Sequence, residues 1–367
     1  MIRIFMIGMS RNKGGVESYI QNLCQELRPE KFEIIYSAPD IELEGTVWNP
    51  PANRHNFLKY YTFWMSFYRA NHFDAVYYNT CDVVSIDQLR FAKASGVPVR
   101  IIHSHNTGNQ QGINRRMSLF HRLSEKCSRK VLDKYATHFL ACSQGAGEWM
   151  FDGIPFKVIK NGISLPKYRY NEKSRKAIQD TLHIQDEKLI GVIGRIAPQK
   201  NPLFTVEVLK KVLKNHKDYS AVFVGDGELR TETEEAVRAA GLQDQVHFVG
   251  TVDNVNEWMS AVDCLLMPSL FEGLPFVLVE AQAAGLPCVV SSAVSEEANI
   301  SGELRYVGLD EPQESWEEAI VEAVNSLRYD AEKKLVEAGY SIENSAKVVE
   351  KLISDTYIKG RRSGWLK

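Results

Sequence analysis

Residues 189–202 read LIGVIGRIAPQKNP. Positions 189–194 form an apolar run, rich in β-branched residues, which is typical of a buried strand. Arg195 and Lys200 follow in a polar loop, and Pro202 suits the first turn of a helix. A buried strand, a short loop and a helix make up part of a βαβ unit. This stretch therefore predicts a parallel sheet in an α/β fold.

The same alternation of strand and helix runs along most of the chain. β-rich segments joined by helical stretches of about 10–20 residues predict right-handed βαβ units. The predicted strands are IRIFMIG (2–8), FEIIYSA (32–38), FDAVYYN (73–79), VRIIHS (99–104), THFLACS (137–143), KVIKN (157–161), LIGVIGR (189–195), YSAVFVG (219–225), VHFVG (246–250), DCLLMPS (263–269) and PCVVSS (287–292).

A polar stretch at about 167–187 divides these strands into two series. Two series predict two Rossmann-like, doubly wound parallel-sheet domains that face each other across a cleft. We place the domains at 1–165 and 166–342, and we expect the helical segment 343–367 to cross back to the first domain.

Composition is that of a globular protein with a sizeable core. The 367 residues suffice for about two domains, and 44% are apolar and 25% charged. The six cysteines show no close CxxC spacing, which favours reduced thiols. No apolar run is long enough to cross a bilayer, and MIRIFMIGM (1–9) is too short for a signal sequence. We expect a cytoplasmic protein.

Charge is distributed unevenly between the two predicted domains. Residues 1–165 hold 20 Lys and Arg against 14 Asp and Glu, a net charge of +6. Residues 166–367 hold 24 and 32, a net charge of −8. A basic first half favours an anionic partner for that domain.

Two loops that follow predicted strands are candidates for binding phosphate. Gly14 and Gly15 lead into a helix, where free N–H groups attract anions, although a flexible loop explains them equally well. Arg195 and Lys200 suit a diphosphate, and we expect both to be exposed at the end of a strand. Each cation taken alone could equally be a solvated surface charge. No GxGxxG motif occurs, so a nicotinamide cofactor is not favoured.

The stretch FEGLPFVLVE (271–280) holds two glutamates with different surroundings. Glu272 lies in a loop before a predicted helix that has Pro275 in its first turn, where an acid could merely complement the helix dipole. Glu280 lies within the apolar part of that helix, where a carboxylate needs a partner. That partner is either a core Arg or Lys, or the two hydroxyls of a bound vicinal diol.

Taken together, these segments resemble the family-4 glycosyltransferases. FEGLPFVLVEA resembles the Glu-x7-Glu motif of these retaining, nucleotide-sugar-dependent enzymes, which have the two-domain GT-B fold. The other matching segments are Gly14–Gly15, HSHN (103–106), VIKNGIS (158–164), GRIAPQKNP (194–202), VGDGELR (224–230) and FVGTVDN (248–254). The details are most similar to bacterial capsule and exopolysaccharide transferases.

The resemblance implies roles for the charged residues. Arg195 and Lys200 would bind the donor diphosphate, and Glu272 would hydrogen-bond hydroxyls of the donor sugar. Glu280 would bind the ribose diol. His105 matches the family's histidine near the reacting sugar, whereas we expect His103 to be packed inside the sheet.

The resemblance also implies backbone contacts to the donor. The amides around Gly273, Leu274, Pro275 and Phe276 would contact the sugar and phosphate. Gly14 and Gly15 would face the phosphates, and the base would lie against Gly250, Thr251 and Val252. One segment departs from the family, because many relatives have a Gly-Gly pair where this chain reads AVSEEANIS (293–301).

The implied mechanism needs no bound metal, since cations and helix N-termini neutralise the leaving diphosphate. In the family, retention is usually explained by attack on the leaving-group face through an oxocarbenium-like state. A phosphate oxygen then takes the acceptor's proton. Asp226, Gly227 and Glu228 are interpreted as a turn.

The acceptor side is less defined by the sequence. FLKYYTFWMSFY (57–68) holds seven aromatics, and segment 115–134 holds seven Lys and Arg against two acids, with apolar residues at 117, 120, 123, 127 and 131. Both segments could be amphipathic helices packed on the sheet, or could contact anionic lipid headgroups on the inner face of the cell membrane.

The resemblance implies a nucleotide-diphosphate sugar as the donor, with a UDP-sugar favoured by frequency in the family. The acceptor would be lipid-linked or a saccharide, and no nucleic acid is expected.

Two other functions are compatible with the same motifs. A sugar-nucleotide epimerase of the same architecture would share the diphosphate site. A non-catalytic partner subunit of a transferase would share the fold.

Overall fold

The structure is a computed structural model that describes residues 1–9, 14–37, 46–48, 56–106, 119–184, 187–272 and 274–362. It divides into two compact units. The first comprises Met1–Gly162 and Gly339–Lys367, and the second comprises Ile163–Ala338. No helix in the described ranges combines the length and the apolar character that crossing a bilayer requires.

The first unit contains a parallel sheet of seven strands in the order β3-β2-β1-β4-β5-β6-β7. Its strands are β1 (Ile2–Ile7), β2 (Phe32–Ser37), β3 (Thr46–Trp48), β4 (Ala75–Thr80), β5 (Val99–Ser104), β6 (His138–Ala141) and β7 (Lys157–Val158). The helices that connect them are α1 (Gly15–Glu26), α2 (Phe57–Asn71), α3 (Asp87–Ala94), α4 (Leu119–Arg129), α5 (Leu132–Tyr135) and α6 (Gln144–Phe151).

Burial on both faces explains why the central strands of this sheet are almost entirely apolar. Ile4, Phe5 and Met6 of β1 are fully buried. Trp64 and Tyr68 of α2 pack on Phe5, with ring centroids 6.1 and 5.8 Å away. Most of the aromatic run 57–68 is thus accounted for by packing against the sheet.

The second unit contains a parallel sheet of six strands in the order β10-β9-β8-β11-β12-β13. Its strands are β8 (Lys188–Ile193), β9 (Tyr219–Val224), β10 (Val246–Gly250), β11 (Cys264–Met267), β12 (Cys288–Ser291) and β13 (Leu304–Val307). Its helices are α7 (Leu165–Tyr168), α8 (Glu172–Leu182), α9 (Pro202–Asn215), α10 (Arg230–Ala239), α11 (Val255–Ala261), α12 (Phe276–Ala283), α13 (Gln313–Val324) and α14 (Glu332–Glu337).

The last helix, α15 (Ile342–Arg362), belongs to the first unit. Glu350 accepts hydrogen bonds from the Arg28 guanidinium, which lowers the pKa of Glu350 below its ordinary value. Thr356 lies 3.2 Å from the ring of His138 on β6. These contacts fix the C-terminal helix on the unit formed by the N-terminal part of the chain.

Both sheets change direction at an equivalent place. In each, the first strand in sequence pairs with the second on one side and with the fourth on the other. The connections therefore diverge between β1 and β4, and again between β8 and β11. Ligands of open α/β sheets bind at the carboxyl ends of the strands beside such a switch point, so these two positions locate candidate sites.

The predicted two-domain α/β fold and all eleven predicted strands are confirmed. Two further strands, β3 and β13, were not predicted. β3 is three residues long, too short to show a pattern. The connection from β12 to β13 contains the 3₁₀ helix Glu296–Ala298 rather than an α-helix, so it lacks the expected helical periodicity.

Candidate functional site

A small, partly open pocket lies at the switch point of the second sheet. Its floor is formed by the carboxyl ends of β8, β9 and β11, including Val192, Phe223 and Met267. Arg195 and Lys200 line it from the loop after β8. An apolar floor with two cations is suited to a ligand that carries both a flat apolar part and negative charge.

The loops after β8 and β9 are held together by main-chain contacts. Gly225 has φ +141°, and an added Cβ there would collide with the carbonyl oxygen of Gly194. Ile196 N–H donates to Asp226 O at 2.9 Å, and Leu229 N–H donates to Ile196 O at 3.1 Å. Glycine permits this approach because it has no side chain, so the loop that carries Arg195 is built as a fixed element.

The two cations differ in their surroundings. Arg195 is exposed and makes no hydrogen bond or ion pair with any described residue. The Lys200 side chain is only 22% exposed, which contradicts the expectation that both would be exposed. The 3₁₀ helix Pro198–Lys200 turns Lys200 inward, where its Nζ lies 3.6 Å from the sulfur of Met267.

Lys200 forms an ion pair with Glu272. Its Nζ lies 2.7 Å from Glu272 Oε1, and the Glu272 side chain is 8% exposed. That buried oxygen has no other partner in the described part of the chain. Removing either charge would therefore leave the other without its main compensation.

Backbone contacts hold Glu272 in place. Gln199 donates from its side chain to Phe271 O at 3.0 Å and accepts at its carbonyl from Leu270 N–H at 2.8 Å. Ser295 N–H donates to Glu272 O at 3.1 Å, and Glu272 forms an isolated parallel bridge with Val294. The segment 293–301, which departs from the family pattern, thus supports the chain at Glu272.

The segment after Glu272 leads into α12. Gly273 lies outside the described residues. Leu274 is half-buried, Pro275 is the buried N-cap residue and Phe276 is the first residue of the helix. Pro275 therefore precedes the first turn in which it was predicted. Leu278 N–H donates to Pro275 O, and Phe276 N–H has no partner among the described residues.

Glu280 lies in α12, and its hydrogen-bond partner in the described chain is a tyrosine, which the sequence did not suggest. Tyr168 of α7 donates its hydroxyl to Glu280 Oε1 at 2.7 Å. The described residues supply Glu280 with this hydrogen bond and no salt bridge, so the core Arg or Lys alternative is wrong. Burial raises the pKa of Glu280 above its ordinary value, opposed by the Tyr168 hydrogen bond and by Lys167.

The end of β10 carries the three residues predicted to face a base. Gly250 accepts at its carbonyl a hydrogen bond from Gly225 N–H at 2.8 Å, Thr251 is exposed and Val252 is half-buried. The Arg230 guanidinium lies beside Gly250 and is paired with Asp226 and Glu234. Arg230 N–H donates to Gly227 O at 3.1 Å, which confirms the turn, and Asp226 accepts from Gly227 N–H at 2.7 Å.

At the switch point of the first sheet, Gly8 has φ +124° and packs against the backbone of Asn79. Gly14 is the N-cap residue of α1, and its N–H donates to the Glu17 carboxylate at 3.2 Å. One of the amides predicted to attract phosphate is therefore already bonded to an acid of the same helix. Gly15 begins the helix and is half-buried.

Two histidines lie at the carboxyl end of β5. His103 is fully buried, as expected, and its Nδ1 lies 3.0 Å from the Tyr77 hydroxyl. His105 Nε2 lies 2.9 Å from Asn79 Oδ1, an acceptor, so Nε2 carries the proton. Nδ1 of His105 is then an acceptor without a partner in the described chain, and Asn161 Oδ1 is also unpaired.

Both histidines are held in the neutral form. Burial lowers the pKa of His105 to about 3, and the neighbouring Asn161 side chain opposes part of the shift. Burial, and then the neighbouring His105, holds the pKa of His103 well below its ordinary value. His105 can therefore offer a lone pair to a hydroxyl but carries no charge near pH 7.

The two segments considered for membrane contact behave differently. In α2, Phe57 and Leu58 are 72% and 73% exposed, whereas the middle of the helix packs in the core. In α4, Leu123 is 54% exposed, while Ser128 is buried and Ser124 donates to Val84 O at 2.7 Å. The predicted apolar face of 115–134 thus does not pack on the sheet at 123, because serines occupy the inner face. Residues 115–118 lie outside the described chain.

No three His, Cys, Asp or Glu side chains of the described ranges lie together as metal ligands would. The one important side chain that the sequence did not reveal is Tyr168, which lies in a stretch interpreted as a polar linker. Its spacing from Glu280 along the chain, more than a hundred residues, gives no local signal.

Comparison with known proteins identifies relatives of both halves. Residues 13–166 match the family Glycosyltransferase Family 4, and residues 173–342 match Glycosyl transferases group 1. The putative glycosyltransferase EpsF of Bacillus subtilis is 30% identical over 370 residues, which cover 94% of each chain. The UDP-Gal:alpha-D-GlcNAc-diphosphoundecaprenol alpha-1,3-galactosyltransferase of Escherichia coli is 27% identical over 55% of this chain and 53% of its own.

Solved structures share the fold at low sequence identity. Anabaena Alr3699/HepE in complex with UDP has a TM-score of 0.66 and 16% identity over 99% of both chains. Sucrose-phosphate synthase from Thermosynechococcus elongatus has a TM-score of 0.75 and 16% identity over 98% of this chain and 100% of its own. These similarities support the two-domain architecture.

Proposed function

The chain belongs to the family-4 glycosyltransferases, and from this premise we propose that it is a retaining enzyme that uses a UDP-sugar. The sugar is transferred to a lipid-linked or saccharide acceptor in the synthesis of capsule or exopolysaccharide. The observation that carries this proposal is the pocket at the switch point of the second sheet, with Arg195, Lys200 and Glu272 around it.

Arg195 and Lys200 bind the donor diphosphate in different ways. Arg195 is exposed and has no partner among the described residues, so its planar guanidinium is available to two phosphate oxygens at once. Lys200 keeps one contact with Glu272 and has further donor protons for the phosphate. Positive charge held at the leaving group lowers the barrier to departure of the diphosphate.

Glu272 and Glu280 bind hydroxyls of the donor. Glu272 is fixed by Lys200 and by Ser295 N–H, and its carboxylate accepts from the transferred sugar. Glu280 accepts from the ribose diol, with the oxygen capacity that Tyr168 leaves free. The base lies against the backbone of 250–252, and the amides of 274–276 contact sugar and phosphate.

Neutral His105 accepts a hydrogen bond from a hydroxyl of the reacting sugar through Nδ1. The described residues that line the pocket include no carboxylate, and nearby Glu272 is ion-paired with Lys200. We therefore favour attack on the leaving-group face, where a donor phosphate oxygen takes the acceptor's proton. The bond to the anomeric carbon breaks through an oxocarbenium-like state.

The choice of donor and acceptor class is supported by relatives. Anabaena Alr3699/HepE was solved with UDP and with UDP-glucose. The Escherichia coli relative is named for UDP-Gal and a diphosphoundecaprenol-linked sugar. A further relative is a Vi polysaccharide biosynthesis protein of Salmonella typhi.

The proposal is tested by thermal-shift measurements with UDP, GDP and their sugars, followed by donor hydrolysis. A ligand at 100 times its Kd stabilises the folded state by about 2.7 kcal/mol. We expect stabilisation by UDP and slow release of free UDP from a UDP-sugar. Interconversion of sugar nucleotides as the main reaction would indicate an epimerase, and binding without any turnover would indicate a non-catalytic subunit.

Contact of the first unit with anionic lipid is a second part of the proposal. Its support is the net charge of +6 over residues 1–165 and the exposed apolar side chains of Phe57, Leu58 and Leu123. Such contact would bring the enzyme to a lipid-linked acceptor.

Vesicle sedimentation tests this contact. We expect the protein to bind vesicles that contain anionic lipid and to be released by salt, because charge attraction is screened beyond about 10 Å at 0.1 M. The double variant Phe57→Ser, Leu58→Ser should bind less, whereas Leu327→Ser, which changes a side chain that is 91% exposed in the second unit, should not. Equal recovery with neutral and anionic vesicles would contradict the proposal.

A further inference from the structure

In the described chain, the Glu280 carboxylate accepts a hydrogen bond from one neutral donor, the Tyr168 hydroxyl. Its Oε1 accepts from the Tyr168 hydroxyl at 2.7 Å, and the described residues give it no salt bridge. Glu280 is half-buried, and a partly desolvated carboxylate with one hydrogen bond from the protein is poorly compensated. Burial accordingly raises the pKa of Glu280. The carboxylate thus needs further donors, and a bound ligand can supply them.

The chain that follows Tyr168 is held at two points. The next residue, Arg169, donates two hydrogen bonds to Glu332 of α14 at 2.8 and 2.7 Å. Asn171 N–H donates to the Ser260 hydroxyl of α11 at 3.1 Å. The Tyr168 side chain is itself buried, at 7% exposure. Its hydroxyl is therefore a donor in a fixed position rather than one that adapts to the ligand.

The acceptor positions that remain on the Glu280 carboxylate are sufficient for the two hydroxyls of a diol. A carboxylate has about four lone-pair positions on its two oxygens. Tyr168 occupies one of them on Oε1, which leaves the other position on Oε1 and both on Oε2. Fixing one oxygen also fixes the rotation of the carboxylate, and hence where the second oxygen points.

We propose that Tyr168 is a positioning residue for donor binding: its hydroxyl orients the Glu280 carboxylate so that it accepts both hydroxyls of the nucleotide ribose. This inference rests on the proposed function, because it assumes a nucleoside diphosphate at this site.

The test compares Tyr168→Phe with the wild type by calorimetry, using UDP and 2′-deoxy-UDP, or the guanine pair if GDP is the nucleotide that binds. Loss of one hydrogen bond should weaken binding of the ribonucleotide by roughly fivefold. The deoxynucleotide should lose less than about twofold, since it already lacks one of the two hydroxyls. The melting temperature should change little, because the ring is kept.

Two controls separate positioning from packing. Tyr329→Phe removes a half-buried tyrosine hydroxyl of the same unit that donates to Leu286 O at 3.2 Å, and it should leave the ribo/deoxyribo ratio unchanged. In a Glu280→Gln background, Tyr168→Phe should have little further effect on that ratio.

The outcomes separate the positioning role of Tyr168 from the proposed function on which it rests. A wild type that binds ribonucleotide better than deoxynucleotide, with Tyr168→Phe showing the same two affinities, would overturn the positioning role alone. A wild type that binds no nucleoside diphosphate would overturn the proposed function and the positioning role together.

Discussion

The two sheets have the same strand order around their switch points but present different chemistry there. At the end of β8, Arg195 is exposed and unpaired in the described chain, and Lys200 neutralises a nearly buried Glu272. At the ends of β4 and β5, Asn79 and His105 form a neutral, partly buried hydrogen bond. In the described chain, the second edge thus presents charged side chains, whereas Asn79 and His105 of the first edge are neutral.

The difference shows that the fold sets the place of a site, whereas side chains and their burial set what it can bind. A diphosphate requires compensating positive charge, which the second edge displays at Arg195 and Lys200. A sugar hydroxyl requires a neutral acceptor, which the Nδ1 atom of His105 provides. Substitutions at the charged and at the neutral positions should therefore have different effects.

The largest effect is expected when Lys200 and Arg195 are replaced one at a time. Lys200→Ala should lower the free energy of unfolding by about 2–4 kcal/mol, because it leaves the Glu272 carboxylate uncompensated. Arg195→Ala should stay within about 0.5 kcal/mol of the wild type. Both should lower kcat/KM by roughly 10²–10³-fold, the typical result of removing one charge-stabilising donor.

Denaturant titration and donor turnover measure these effects. The double variant Lys200→Ala, Glu272→Ala should recover part of the stability lost in Lys200→Ala, since no lone buried charge remains. Equal stability of the two single variants would show that the ion pair is not the distinction between the cations. Unaltered kcat/KM in both would remove them from the diphosphate site.

A smaller effect is expected for Glu280→Gln, which keeps the shape of the side chain but loses acceptor capacity. Affinity for a ribonucleotide should fall by about 1–3 kcal/mol, with a much smaller penalty for the 2′-deoxy form. The melting temperature should hardly change, because the partner is the Tyr168 hydroxyl rather than a cation, and glutamine can still accept from it.

Calorimetry and thermal melting measure both quantities for Glu280→Gln. Glu172→Gln is the matched control, since Glu172 also accepts from a tyrosine, Tyr170, but on the surface. A variant of Glu280 that melts far lower and keeps the wild-type ribo/deoxyribo ratio would show a purely structural glutamate.

The smallest effect concerns the pH dependence of stability. Burial lowers the pKa of His105 from 6.5 to about 3, so the unfolded chain binds a proton at pH values where the folded chain does not. This contribution to stability is complete above pH 6.5 and is lost as the pH falls. Between pH 6.5 and 5.5 it should amount to about 1 kcal/mol.

Urea titrations at several pH values measure this slope. His105→Asn should flatten the slope by that amount, whereas the same substitution at exposed His72 should not. An unchanged slope in His105→Asn would mean that His105 titrates normally in the folded protein, and would remove the neutral character assigned to the first edge.

Much of the fold and part of the site could be predicted from the sequence. Apolar runs such as 189–194 marked the central strands, because strands buried on both faces must be apolar throughout. β13 was not predicted, since Arg305 and Tyr306 interrupt its apolar pattern and no α-helix precedes it. The positions of Lys200 and Glu272 after strands were evident, but their pairing across 72 residues was not.

By itself, the sequence determined the alternation of strands and helices, the two-domain α/β class and the motifs of the family, because these depend on local periodicity and local residue types. Only the tertiary structure decided which polar groups meet. It paired Tyr168 with Glu280, turned Lys200 inward and exposed Leu123. The physical reason is that burial, pKa and hydrogen-bond partners are set by residues distant in the chain, and packing within each unit brings those residues together.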